Sequence, residues 1–492
     1  MPAALTRWLR FSSLTVYRLV TWSLLAAAFA VGAVILGLRY WVLPNVDQHR
    51  ETIARMIGQG IGQRIAIGRV SGNWDGLHPE LVMEGITIFD REGRPALQLA
   101  RIEGVLSWLS FAALEPRFRS VEISEPVLSV RRDARGALHV AGIELKQGTG
   151  GGLGDWLLRQ RRLSIRGAAI TWQDELRGAA PLALDAVDFL LRNRGSRHRY
   201  ALRAVPPRAL AGPLDVRGEF TGRSLSEPAE WHGRLFVQVD GVDLDGWRPW
   251  LPSSFIAPKG MGALRMWLSF REQRLTELTA DVRLAKVEVR LAPELPELKF
   301  SALSGRVGWK DVPGGVEIST TRLALASTDG LVVQPTDFFL RLTAMSDSVA
   351  SRGELRANAL ALEPLAALAD HLPLERELRS DIIALSPRGN LFDVALHWNG
   401  PWRHPAQYVV RGRFEALGLA GVGKLPGFAG LTGAFEGNES YGTVRLDSTD
   451  VTLDMPSVFR GPLELERLVA DGAWSRAGRA LDLQFSKVGF SN

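Results

Sequence analysis

Leu431–Leu453 reads LTGAFEGNESYGTVRLDSTDVTL, and the fold class follows from its pattern. An apolar-x-Gly strand opens the segment, a Gly turn follows, and then an alternating strand and a further apolar strand. Val444 and Leu446, then Val451 and Leu453, fall on one side; Arg445 and Asp447, then Thr452 and Asp454, fall on the other. A period of two with one apolar face marks a half-buried β-strand. Leu303–Leu325 (LSGRVGWKDVPGGVEISTTRLAL) repeats the unit with a turn one residue different in length, and a weaker third copy begins at Leu468 (LVADGAWSRAGRALDLQF). A second, Gly-led unit recurs at Gly233–Leu244, Gly353–Leu362 and Gly412–Leu419. A Leu-Pro pair follows each copy: Leu251-Pro252, Leu372-Pro373 and Leu425-Pro426.

Outward from these repeats the same period continues. Arg64–Val70, Leu81–Phe89, Val121–Val130, Leu163–Trp172, Tyr200–Ala204, Leu214–Phe220, Arg234–Val239, Leu264–Phe270, Leu278–Val289, Val316–Leu325, Val394–Trp398 and Val409–Phe414 all read as strands. A hairpin is expected around Asp133-Ala134-Arg135-Gly136, joining Val127–Arg132 to Ala137–Val140. Leu362–His371 reads as a short helix, and Gly148–Gly154 as a loop. Repeated hairpins cannot each bury an apolar face alone, so they must join into an extended sheet. Too little helix remains to cover that face. Either two sheets pack on each other, or one sheet curls and keeps a greasy concave face for something else.

The N-terminal region has a different period. Leu19–Leu38 (LVTWSLLAAAFAVGAVILGL) carries no charge and would span about 30 Å as a helix, the thickness of a bilayer core. Arg18 and Arg39 bracket it, and Tyr17, Trp22, Tyr40 and Trp41 lie where an aromatic belt would sit. Leu19, Trp22, Phe29, Leu38 and Trp41 are the expected anchor residues. A cleaved signal peptide competes with this reading, but apolar sequence continues past the small residues at Ala28-Phe29-Ala30. Arginines flank the span almost equally, so charge bias leaves orientation open; a short internal tail with a translocated body is the commoner arrangement. Beyond Pro44, Val46, Ile53, Met56 and Ile57 recur at helical spacing, and Gly58, Gly60 and Gly62 end the run. A short amphipathic helix over the start of the body is expected.

Composition narrows the chemistry. The 492 residues hold no cysteine, which excludes disulfides, thiolate nucleophiles and Cys-ligated metals. The net charge of +6 comes from scattered arginines without any nucleic-acid-binding signature. The histidines (His49, His78, His139, His198, His232, His371, His397 and His404) form no metal-ligand spacing and read as surface or turn residues. The Gly148–Gly154 run lacks the Lys-Ser/Thr of a phosphate-binding loop. The glycines at Gly58–Gly62 follow no strand, and Asp174-Glu175 sits beside a turn. No catalytic, cofactor or metal residues are assigned, and no enzyme activity is expected.

Several stretches resemble a known family. These are RVSGNWDGLHPELVMEGITIFD (Arg69–Asp90), RPALQLARIEGVLSWLSF (Arg94–Phe111), VRRDARGALHVAGIEL (Val130–Leu145), DWLLRQRRLSIRGAAITWQDELRGAAPLAL (Asp155–Leu184) and NRGSRHRYALRAVPP (Asn193–Pro207). They resemble the N-terminal half of YhdP-family proteins, members of the AsmA-like superfamily that also includes TamB. The resemblance implies a single inner-membrane anchor and a long periplasmic β-groove carrying phospholipid toward the outer membrane, as bridge-like lipid transfer proteins do between organelles. Family members are usually much longer, so the chain is expected to be the N-terminal part of a longer polypeptide. Its last strand, Ala480–Phe485, is expected to present an open edge that self-associates.

The expected fold is mainly β: an N-terminal transmembrane helix followed by an elongated, curled antiparallel β-sheet groove with a few short helices. The expected division is 1–18 tail, 19–43 transmembrane helix, 44–62 amphipathic helix, 63–147 AsmA-like β region, 148–154 loop and 155–492 repeated groove. Val444, Leu446, Val451 and Leu453 are the expected groove lining. The expected function is a single-pass inner-membrane, periplasmic conduit for phospholipid, with no cofactor and no nucleic-acid partner. The competing expectation is a non-enzymatic scaffold or assembly factor for outer-membrane biogenesis.

Overall fold

The computed structural model describes residues 3–61, 63–89, 93–108, 110, 117–140, 143–145, 153–224, 227–250, 259–345, 350–372, 374–401, 405–423, 425–455, 460–477 and 480–491. The chain divides into two compact units. One comprises 1–176, 180–202 and 222–227; the other comprises 177–179, 203–221 and 228–492. Of the loop expected at Gly148–Gly154, residues 148–152 lie outside the described residues, as do Gly62, Pro252, Pro373 and His404, while Leu153 and Gly154 begin a helix instead.

The first unit begins with the apolar helix α1 (Ala3–Gly37), one π turn (Leu38–Val42), a 3-10 segment (Leu43–His49) and α2 (Arg50–Ile61). Pro44 lies in the first turn of the 3-10 segment, where its missing N–H breaks no helical bond. Leu43, Val46 and Ala54 are buried against Ile67, Val70, Leu81, Met83 and Ile86. The Val70 amide donates to Asp47 Oδ1 at 2.8 Å. The amphipathic segment thus lies over the start of the sheet, as its spacing predicts.

The strands of this unit are β1 (Ile65–Asp75), β2 (His78–Phe89), β3 (Pro95–Leu106), β4 (Phe118–Ser124), β5 (Val127–Arg132), β6 (Leu138–Val140), β7 (Ile143–Leu145), β8 (Arg162–Asp174), β9 (Leu182–Arg194) and the start of β10 (Arg197–Val205), with α3 (Leu153–Arg159) before β8. The Val127–Val140 hairpin forms as expected, with Asp133 Oδ1 accepting the amides of Arg135 and Ala137. Two expectations need correction. Val121–Val130 is not one strand: Glu125 takes φ +48° and Pro126 follows, which splits it into β4 and β5. Both halves then pair in parallel with β8, so the sheet is not antiparallel throughout. Asp174 is fully buried in a pair with Arg132, and its neighbour Glu175 binds Arg131 at 3.1 Å.

The second unit holds β11 (Leu214–Thr221), β12 (His232–Asp243), β13 (Lys259–Arg271), β14 (Arg274–Val289), β15 (Leu298–Val312), β16 (Gly315–Ser327), β17 (Val332–Met345), β18 (Ala350–Ala361), β19 (Arg388–Asn399), β20 (Gln407–Leu419), β21 (Gly427–Asn438), β22 (Tyr441–Asp454), β23 (Leu463–Ala477) and β24 (Ala480–Ser491). Each pairs antiparallel with the next, giving one long meander. Between β18 and β19 lie the short helices α4 (Leu362–Leu368) and α5 (Arg376–Leu385). The protein is mainly β, as its period implies.

Candidate functional site

Directly opposed residues of an antiparallel pair share a face, so the register defines the two faces of the second unit. On one face, Val316, Ile318 and Thr320 of β16 meet Leu342, Leu340 and Phe338 of β17, which in turn meet Gly353, Leu355 and Ala357 of β18. Further along, Phe435 of β21 lies opposite Val444, and Leu446 of β22 lies opposite Gly433 and Ala470. Val444 and Leu453 are half-buried, whereas Leu446 and Val451 are buried. Of the four residues expected to line the groove, Val444 and Leu446 lie on this face by register. The other face carries ion pairs: Arg306–Asp281 at 2.5 Å, Arg341–Glu317 at 2.7 Å, Arg413–Asp393 at 2.5 Å and Arg467–Asp447 at 3.1 Å.

Simple alternation cannot put Leu446 and Val451 on one face, because they are an odd number of residues apart. Asp450 resolves the parity: it takes φ +56° and inserts one extra residue, so Val451 rejoins the apolar side. The same device recurs at Arg322 (φ +49°) in β16 and Ala416 (φ +48°) in β20, restoring Leu323 and Leu417 to the apolar face. Lys286 in β14 and Ala186 in β9 of the first unit act alike. A non-glycine residue in this left-handed region costs roughly 1–2 kcal/mol, and side chains from the neighbouring strand offset it. The Arg322 amide donates to Asp337 Oδ1, the Ala416 amide to Thr432 Oγ1 at 3.1 Å, and the Thr432 amide to Ser448 Oγ at 2.9 Å. Odd spacings between apolar residues, as in Leu446–Val451 and Leu284–Val287, are a sequence signal that could have revealed these bulges.

The Gly-led repeat also acquires a physical meaning. Gly233, Gly353 and Gly412 each lie directly opposite an aromatic residue: Phe220, Trp398 and Phe435. At Gly353 and Gly412 the ring covers the glycine and leaves little or no room for a Cβ, whereas at Gly233 the Glu219 carbonyl and the Phe220 Cα and Cβ take that space. Trp398 and Phe435 thereby flatten against the apolar face instead of projecting from it.

The apolar clusters of the second unit draw on laterally neighbouring strands, with additions from the connections (Ala211, Leu244 and Trp247) and from a helix (Leu368 of α4). No second sheet contributes to them among the described residues. Among the described residues of this unit neither expected arrangement is formed: no second sheet packs on the first, and the sheet is uncurled, which corrects the expected curled groove.

In the first unit, Leu19, Trp22, Phe29 and Trp41 are exposed, Phe29 at 74% and Trp41 at 76%, while Leu38 is half-buried. The helical run that begins at Tyr17 is long and apolar enough to cross a membrane, and protein packing leaves its apolar window uncovered. This fits a single-pass anchor. His198 departs from the surface role expected of it. It is buried, with Nδ1 2.7 Å from Asn193 Oδ1 and Nε2 3.1 Å from the Gly222 carbonyl. Burial holds its pKa below the usual imidazole range, and the Gly222 carbonyl partly opposes this. Among the described residues, no group of His, Asp and Glu side chains could hold a metal ion.

A family model described as YhdP protein matches residues 1–492. No curated protein and no solved structure matches the chain.

Proposed function

Because the chain belongs to the YhdP family over its whole length, we propose that it is a non-enzymatic conduit for phospholipid, anchored in the inner membrane with its β body in the periplasm. Acyl chains would lie along the apolar face of the sheet while headgroups stay in water, so that lipid moves between the inner and outer membranes. One observation carries this reading. The apolar stripe crosses the strands of the second unit, is held on one face by repeated bulges, and has no facing sheet among the described residues. Burying an acyl chain contributes roughly 0.8 kcal/mol per CH₂, so such a face retains lipid without a specific polar site.

The test is photocrosslinking with a benzophenone amino acid placed singly at Val444 or Leu431 on the apolar face, or at Arg445 on the ion-paired face, in cells with radiolabelled phospholipid. Label should attach at Val444 and Leu431 and not at Arg445. Crosslinks from Val444 to an envelope protein instead of lipid would replace the conduit with a scaffold or assembly factor.

A further inference from the structure

An arginine-rich concavity of about 710 Å³ opens in the first unit, where β8 begins and β9 ends. Its lining includes Arg159 of α3, Arg161, Arg162, Arg192, Arg194 and Arg223. Arg162 and Arg192 are directly opposed in the β8–β9 register. Like charges set opposite each other across a strand pair are destabilising, and Arg194 adds a third charge on the Arg192 side of its strand. Asp155, the one carboxylate in the lining, accepts the Ser224 hydroxyl at 2.8 Å. None of the six guanidiniums has an ion pair with a described carboxylate. The surrounding scaffold is firmly built: buried Gln160 accepts the Phe118 amide at 2.9 Å, and Asn193 donates to the Leu157 and Gln160 carbonyls at 2.9 and 2.7 Å. A rigid frame therefore holds several cations together beside a single carboxylate.

The place of this concavity is equally specific. Successive registers (Asp75 with His78, Glu80 with Val105, Leu106 with Phe118, Val121 with Leu163, Arg162 with Arg192) put the end of β1 and the arginines on one rim of the sheet. The membrane anchor arrives at that rim. Leu43 packs on Gly72 near the end of β1, and the Arg39 guanidinium lies 5.9 Å from the Trp74 ring centre.

We propose that this concavity is a binding site for the phosphate of a phospholipid headgroup, on the rim of the sheet next to the membrane anchor. The planar guanidinium fork matches phosphate oxygens in bidentate fashion, and a bound phosphate would relieve the Arg162–Arg192 repulsion. This inference rests on the conduit reading and deepens it by naming where a headgroup is held.

The experiment uses the full chain in detergent micelles, titrated calorimetrically with dihexanoyl phosphatidylglycerol and, separately, with inorganic phosphate. Arg192→Glu/Arg194→Glu should weaken phosphatidylglycerol binding by at least about tenfold, and Arg192→Gln/Arg194→Gln should weaken it less. Arg290→Glu, a single charge reversal at an exposed residue of the second unit, should leave it unaltered. The wild-type affinity should fall with added salt. Inorganic phosphate binding as tightly as the lipid would make this a site for a free anion and overturn the lipid assignment. Equal lipid affinity in the wild type and a Glu variant with an unchanged thermal melt would overturn the site; if the Glu variant melts early, the Gln pair decides on the same criterion. Loss of the Val444 crosslink in the wild type with headgroup binding intact would count against the conduit alone.

Discussion

Asp337 Oδ1 accepts the backbone N–H of Arg322 at 2.7 Å, capping from β17 the left-handed residue that keeps Leu323 and Leu325 on the apolar face of β16. The Asp337 amide donates in turn to Asn358 Oδ1 at 2.9 Å, so the cap is itself held in place from β18. Asp337→Ala should lower stability by about 1 kcal/mol and speed hydrogen exchange at the Arg322 amide. Asp337→Asn, which keeps an acceptor oxygen, should recover most of both. If alanine and asparagine behave alike in urea unfolding and in exchange, the cap is not what holds the bulge.

Trp398 covers Gly353 closely enough that a methyl group there must displace the ring. Gly353→Ala should cost roughly 1–3 kcal/mol, as overpacking does, and should alter the near-UV circular dichroism of the indole. Combining it with Trp398→Leu should cost less than the sum of the two single changes. Strict additivity would show that the two residues are not coupled.

Charge placed on the apolar face should block lipid while leaving the sheet folded. Val444→Asp and Leu453→Glu sit at half-buried positions, so far-UV circular dichroism should be largely preserved while lipid passage is lost. Arg445→Asp and Thr452→Glu on the opposite face should be tolerated; Arg445 meets its partner Asp471 only at 3.5 Å and is highly exposed. Equal loss from both faces would mean that the changes act through folding.

Acid should remove the contribution of the Asp281–Arg306 pair. Hydrogen bonding to Arg306 holds the Asp281 carboxyl below the usual carboxylate range, with burial opposing. A lowered folded-state pKa stabilises at pH values above the unfolded-state pKa, near 4, and the gain is lost as pH falls through the lower folded value. The pair is half-exposed, so its worth is only about 0.5 kcal/mol. The stability difference between the wild type and Arg306→Gln should therefore be constant from pH 7 to about 5 and shrink toward zero below that. A difference that persists undiminished at low pH would assign it to packing against Trp267, whose ring lies 5.6 Å away.

Removing residues 1–41 should release the protein from the membrane fraction without unfolding the start of the sheet. Leu43, Val46 and Asp47, which pack on or bond to β1, all remain. Continued membrane fractionation of the shortened chain would place the membrane attachment elsewhere, with the arginine rim the next surface to test.

Much of this protein was legible in local sequence. Leu19–Leu38 is apolar along its whole length, and no tertiary contact is needed to make it a helix suited to lipid. The period of two around Val444 and Leu446 specified a strand with one apolar face, and the Asp133–Gly136 turn specified its hairpin, because both depend on residues close in sequence. The strand at Pro95–Leu106, by contrast, was not read from sequence, and neither was the break at Glu125-Pro126.

Tertiary structure decided what depends on a partner strand. Asp450, Arg322 and Ala416 have no local reason to adopt a left-handed conformation that costs roughly 1–2 kcal/mol; the neighbouring strand's register and capping groups impose it. Gly353 became intelligible only once Trp398 was placed opposite it. Arg162 and Arg192, thirty residues apart in the chain, looked like scattered surface charge until β8 and β9 paired. Sequence fixes which side chains alternate, because alternation is a property of one strand. Which of them meet is a property of two, and the free energy that selects the pairing is spread along the whole ladder of hydrogen bonds and cross-strand contacts.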